Sequence, residues 1–227
     1  MNRSLQSGQL AGATPLSDGV AVLPEMRKRA LVLAWLAEVF SRQPTLEAVA
    51  SYRRGQGADR LDELHEDPLL AEGIAGMIAA LAAPIEDEKL VAAVGLAFNR
   101  LFVGIGGHAT VAPYESAYRG NGRLFQQPFT EMNALMAELG LRVADGCAEP
   151  ADHISIELAL TSHLLLAASP ASQAMLERLQ GWVPAFCADC IARDTSGFWA
   201  GAARALAALM AQGSPYADHG PVPTQGG

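Results

Sequence analysis

The chain has 227 residues, 50% of them hydrophobic and 6% aromatic, which is enough apolar material to bury a core and excludes wholesale disorder. Lys and Arg number 16 against 24 Asp and Glu, and the formal net charge of −8 argues against a nucleic-acid partner, because phosphate backbones reward basic residues. The 3 cysteines are an odd count in a chain too long to depend on disulfides, and no apolar stretch reaches the ~18–20 residues that membrane insertion requires.

Residues 1–23 are rich in Ser, Gly, Gln and Ala without helical period and read as a flexible N-terminal arm. They lack the basic start, apolar run and small-residue cleavage site of a secretory signal, so a cytoplasmic location is expected. The first helix is expected over Pro24–Ser41, with Val32, Trp35, Leu36 and Val39 as its apolar stripe. Pro44 opens a shorter helix that ends before Arg53-Arg54-Gly55. Asp67-Pro68 starts a third, as an N-cap followed by Pro at the first helical position, and Pro84 ends it. Residues 86–102 form a fourth, with Leu90, Val94, Ala97 and Leu101 at helical spacing.

A long loop over 104–121 follows, with 4 glycines and Pro113; loops of this length inside a domain are often functional, and this one is a candidate hinge for exchanging helices between two copies. The oligomeric state stays open at this point. Further helices are expected over 127–139, 150–168, 172–180, 184–192 and 196–211. No segment alternates apolar and polar residues long enough to argue a strand, and no repeat is visible. The fold class is all-α: a single-domain helical bundle over 24–211, with flexible tails at 1–23 and 212–227.

The helix from residue 150 is apolar nearly all round, with Ile154, Ile156, Leu158, Leu160, Leu164, Leu165 and Leu166, which puts it in the middle of the bundle. Its polar start, Glu149-Pro150-Ala151-Asp152-His153, marks where a central helix reaches the surface. His153 and Glu157 are four apart and share a face, so they can pair. Acids near a helix N-terminus and Pro in its first turn also need no function to explain them.

Other chemistry finds little support. No Glu has a His three residues later, so a ferritin-like di-metal site is excluded and no metal ligands are expected. Cys187-Ala188-Asp189-Cys190 is a lone pair without further ligands at motif spacing and reads as buried thiols. Gly104-Ile105-Gly106-Gly107-His108 follows a helix rather than a strand, and no Gly-Lys-Ser/Thr closes it. Ser116 lacks a nucleophile elbow, and no catalytic residue is assigned. Pro113-Tyr114-Glu115-Ser116-Ala117-Tyr118 remains: its two tyrosines either pack the loop down or line a groove.

At these residues the sequence resembles the TorD/DmsD/NarJ-type family of redox-enzyme maturation chaperones. Asn99-Arg100-Leu101-Phe102-Val103-Gly104 resembles its R-L-F-x-G segment, and Pro113 to Tyr118 its P-(aromatic)-E/G-S-x-(aromatic) loop. Glu149-Pro150-Ala151-Asp152-His153 with Glu157-Leu158 resembles its E-P-x-D-H-x-x-x-E-L signature. Trp182-Val183-Pro184-Ala185-Phe186 and Phe198-Trp199 resemble its W-x-P-x-F and closing aromatic pair. The motifs stand in the family's order over residues 29–210; one departure is Ile105, where the family often has Pro.

The resemblance implies an all-α chaperone without catalytic activity or resident cofactor. Such a chaperone binds the twin-arginine signal peptide of a molybdenum-enzyme catalytic subunit precursor and delays its export until the cofactor is inserted. It further implies that Tyr114, Glu115, Ser116, Tyr118, Glu149, Pro150, Asp152 and His153 belong to the leader-binding region. Carboxylates such as Glu149 and Asp152 suit arginine, and a groove between helices suits the apolar run after it. Two alternatives stand beside this: a helical adaptor that holds a partner helix without any leader, and a weak guanine-nucleotide-binding protein using Gly106-Gly107.

Overall fold

The structure is a computed structural model that describes residues 9–12, 22–104, 107, 110–120 and 126–212. Its helices are α1 Pro24–Ser41, α2 Leu46–Arg54, α3 Gln56–His65, α4 Ala71–Leu81, α5 Asp87–Phe102, α6 Glu115–Arg119, α7 Gln127–Glu138, α8 Ile154–Leu166, α9 Ala171–Gln180, α10 Val183–Arg193 and α11 Phe198–Ala211. Two short strands, β1 Leu10–Ala11 and β2 Arg142–Val143, pair antiparallel with Leu10 opposite Val143. The class is all-α, as the composition and periodicity require.

Helix α1 falls on its expected bounds because Pro24 sits in its first turn and its buried residues recur every three or four positions through Leu33, Leu36, Ala37 and Phe40. Elsewhere local chemistry moves the boundaries. Arg53 and Arg54 lie inside α2 instead of after it, both gripping Asp87 at the start of α5. Asp67-Pro68 opens a turn, where Asp67 Oδ1 accepts from the Leu69 amide at 2.9 Å, and the helix itself begins at Ala71. Helix α3 has no counterpart in the sequence pattern: Leu61 is its one fully buried side chain, too few apolar positions to show a period. The long loop carries α6, and α8 begins at Ile154 instead of residue 150.

Within the N-terminal arm, residues 9–12 are docked on the helical body. Gln9 is buried, its Nε2 donates to Ala37 O at 3.3 Å, and its carbonyl accepts from the Ala144 amide at 2.8 Å. A two-residue strand is too short to leave an alternating pattern. The remaining arm residues 1–8 and 13–21, and nearly all of the C-terminal tail, lie outside the described residues.

Helix α8 is the axis of the bundle and separates two apolar clusters. Ile154, Leu158, Ala159 and Leu165 face the larger one, built mainly by α1, α4, α5, α10 and α11. Phe40, Phe98, Phe102, Phe186 and Trp199 form its aromatic centre, with Trp199 at 5.2 Å from Phe98 and 5.5 Å from Phe102 between ring centroids. The Trp199 indole N–H donates to Val94 O at 3.1 Å, so this buried ring has no unsatisfied polar atom. Helices α4 and α11 meet backbone to backbone: a Cβ on Gly201 would stand 2.7 Å from Gly73 O. Ile156, Leu160 and Leu164 face the smaller cluster with Met132, Met136 and Met175. Two cores, one on each side, are why α8 is apolar nearly all round. Among the described residues no helix is long and apolar enough to cross a membrane.

Candidate functional site

The loop motif and the helix-start motif are stitched together through their main chains. Tyr114 and His153 form an isolated antiparallel bridge; the Glu115 amide donates to Asp152 O at 2.9 Å and the Ile154 amide to Pro113 O at 2.8 Å. Ahead of α8 the chain turns as the His153 amide donates to Pro150 O at 3.0 Å, so Pro150 and Asp152 stand in a turn rather than in the first helical coil. His153 then caps the helix, its Nδ1 accepting from the Ser155 amide at 3.1 Å. That leaves the ring proton on Nε2, and burial depresses the His153 pKa to about 3, so the ring is neutral near pH 7.

Side chains complete the stitch. Asp152 is fully buried, and its Oδ2 accepts from the Ser116 amide at 3.2 Å and from the Ser116 hydroxyl. Tyr114 Oη donates to Glu149 Oε2 at 3.1 Å, and its ring stands edge-on to the His153 ring at 5.2 Å. His153 Nε2 lies 3.8 Å from the same Glu149 oxygen. Burial, followed by the Glu149 carboxylate, pushes the Tyr114 phenol well above its usual range, so it remains a donor. Tyr118 stacks on Trp182 at 5.5 Å and points its hydroxyl at Asp189, 3.4 Å away; burial and that carboxylate raise its pKa likewise.

Beneath this surface lies an ionic junction of four helices. Glu115 is wholly buried; its Oε1 takes Arg119 Nη1 at 2.6 Å, and its Oε2 takes Arg178 Nε at 2.8 Å together with Arg178 Nη2. Arg178 also reaches Glu131 Oε2 and Pro128 O, each at 3.0 Å. Glu157, equally buried, accepts the Trp182 indole N–H at 3.0 Å. Burial first and Glu115 second raise its pKa well above the usual carboxylate range. The expected His153–Glu157 pair does not form: His153 faces Ser155, Tyr114 and Glu149, while Glu157 faces the junction.

The eight residues singled out in the sequence thus come together, but in two layers. Glu115, Ser116, Asp152 and His153 are buried and already bonded; Tyr114, Tyr118, Glu149 and Pro150 are partly exposed. Asp152 has no open approach for an external arginine, whereas the Glu149 side chain keeps 35% of its surface in water. Sequence reading missed Arg178 and Glu131, because partners 63 and 47 positions from Arg178 leave no spacing signal; it also missed Arg119, although its place four residues after Glu115 is a helical pair spacing that could have found it. The aromatic motifs Trp182–Phe186 and Phe198-Trp199 are core-building, and Cys187 and Cys190 are buried free thiols. The Ser155–His153 contact is buried and taken up by the helix cap, so it offers no nucleophile to a substrate. Among the described residues no group of three or more His, Cys, Asp or Glu could hold a metal ion. Gly106, central to the nucleotide alternative, lies outside the described residues.

Comparison with known proteins points one way. Residues 67–188 match the family model described as nitrate reductase delta subunit. Chaperone protein TorD of Escherichia coli O45:K1 is 29% identical over 191 residues, covering 80% of this chain and 92% of the relative. That of Photobacterium profundum is 30% identical over 196 residues, covering 80% and 90%. A crystal structure of a candidate redox enzyme maturation protein from Archaeoglobus fulgidus, 20% identical, superposes with a TM-score of 0.50 over 86% of this chain and 99% of its own, a likeness of fold alone.

Proposed function

Because the chain belongs to the TorD-type family of redox-enzyme maturation chaperones, we propose that it binds the twin-arginine leader of a molybdenum-enzyme catalytic subunit precursor and delays export until the cofactor is inserted. On this reading it acts in the cytoplasm, as one folded unit over residues 24–211, and carries out no catalysis of its own.

The observation that carries the reading is the Tyr114–Glu149 pair at the rim of two main-chain-stitched motifs. A leader offers guanidinium groups followed by an apolar run. Glu149 has one oxygen bonded to Tyr114 and retains solvent access for an arginine fork, which bonds a carboxylate strongly when the carboxylate is already oriented. Two residues earlier, Cys147 packs on the smaller cluster, whose half-buried fringe includes Phe129, Leu135, Leu139 and Val143 around three methionines. Methionine-rich packing adapts to irregular apolar partners, which suits leaders of varied sequence. Asp152, Ser116 and His153 act from beneath, holding the rim in shape.

The test is titration of a synthetic leader peptide into the full chain at low and high salt. Twin-arginine peptide is expected to bind with an affinity that salt weakens, and Glu149→Gln is expected to cost about 1.5–3 kcal/mol of binding, the worth of a charged hydrogen bond. A peptide with both arginines replaced by glutamine that binds equally well would sink the proposal in favour of a leader-independent adaptor.

A further inference from the structure

The junction under the site holds two buried carboxylates that one arginine cannot both satisfy. Arg178 gives Nε and Nη2 to Glu115, Nη1 to Glu131, and Nη2 again to Pro128 O. Glu157 Oε2 has the Trp182 indole, but Oε1 lies 3.8 Å from Arg178 Nε, has no other donor, and is fully buried. The groups facing it are Glu115 from α6, Arg178 from α9 and Trp182 before α10, while Arg119 and Glu131 meet Glu115 and Arg178 one contact further out. Arg119 and Arg178 are both engaged with Glu115, so an ionised Glu157 would be a buried charge without a hydrogen-bonded counter-ion. Such a charge is costly enough that the group takes up a proton instead. As a neutral acid, Glu157 becomes a donor, and Glu115 is the acceptor at hand.

We propose that Arg178 and a protonated Glu157 form a pH-sensitive latch that holds residues 114–119 against α8 and α9, and so act as positioning residues for the rim. Loss of that proton sets Glu157 against Glu115 in a dry site. The strain is relieved when α6 swings outward, carrying Tyr114 away from Glu149. The latch stands on the junction itself; its effect on the leader rests on the function proposed above.

Amide hydrogen exchange on the full chain tests it, read as protection of the Glu115 and Ser116 amides, which bond Asp152 O and Asp152 Oδ2. Corrected for intrinsic exchange, wild-type protection is expected to fall as pH rises from the ordinary carboxylate range toward about pH 9.5, by roughly tenfold for each unit by which burial raises the Glu157 pKa. Glu157→Gln keeps a neutral donor beside Glu115 and should make protection flat with pH. Arg178→Met should lose protection already at pH 7; Arg178→Lys, which keeps the charge without the fork, should lose part of it and serves if the methionine variant does not fold. Wild-type protection that is flat with pH, or Glu157→Gln retaining the wild-type fall, overturns the latch. Leader-peptide affinity measured on the same samples separates the two claims. Peptide that never binds while protection behaves as expected supports the latch and removes the leader. Peptide that binds with the same pH profile in wild type and Glu157→Gln overturns the positioning of the rim by the latch and leaves the leader.

Discussion

The two sides of α8 are built by different physics. On the larger side, Phe40, Phe98, Phe102, Phe186 and Trp199 pack ring against ring, and little depends on the direction of any one group. On the other, a small methionine-bearing cluster borders a stitched rim and an ionic junction, which meet the larger side through Tyr118 and Trp182 and rest on directed contacts. Burial of apolar area is non-directional and tolerates adjustment, while a buried polar network holds only when all its members are satisfied. The first side therefore supplies stability and the second supplies shape at the surface.

The comparison can be broken by substitution on each side. Trp199→Ala should have the largest effect on stability, a loss of about 3–5 kcal/mol in urea denaturation, from the deleted indole, the cavity it leaves and the lost bond to Val94 O. The fraction that remains folded should bind leader peptide normally; an equal loss of affinity would mean the two sides are not separable. Asp152→Ala should cost less, about 1–3 kcal/mol, by leaving the Ser116 amide and hydroxyl without their buried acceptor. It should nevertheless weaken leader binding through a loosened α6, and a double-mutant cycle with Ser116→Ala should show strong coupling between the two.

The smallest effect at neutral pH belongs to His153→Asn, expected within ~1 kcal/mol because Asn also caps helices well. Its signature is in acid. His153 has a folded pKa of about 3 against an ordinary 6.5, so the unfolded chain binds the extra proton between those values. Wild type should lose stability as pH falls from about 6.5 toward 3, and the asparagine variant should lack that share of the loss. Urea midpoints at about pH 7 and about pH 4.5 decide it; identical acid slopes would mean that His153 is not held neutral.

Legibility in the sequence follows the same division. Helix α1 is readable to the residue because proline, a 3.6-residue apolar period and a polar stop all sit within 18 positions. Helix α3 is not, with a single buried side chain to mark its face. Helix α8 starts four residues later than its sequence suggests because Pro150 is equally suited to a first helical turn and to the turn that precedes one. The structure brings the motif residues together, but their layers are not visible in the sequence: nothing in the order Glu149, Pro150, Ala151, Asp152, His153 says that Glu149 faces water and Asp152 does not.

What the sequence determined by itself was the class, most of the helices, the central place of α8 and the family, since each rests on local spacing or on ordered motifs. What the tertiary structure alone decided was which carboxylate is reachable, which residues serve it from below, and that Arg178 joins four helices at one point. Those contacts include pairs 25, 47 and 63 positions apart, formed only when helices close on one another. Local propensity leaves a periodic trace along the chain; a buried ion pair between distant helices leaves none.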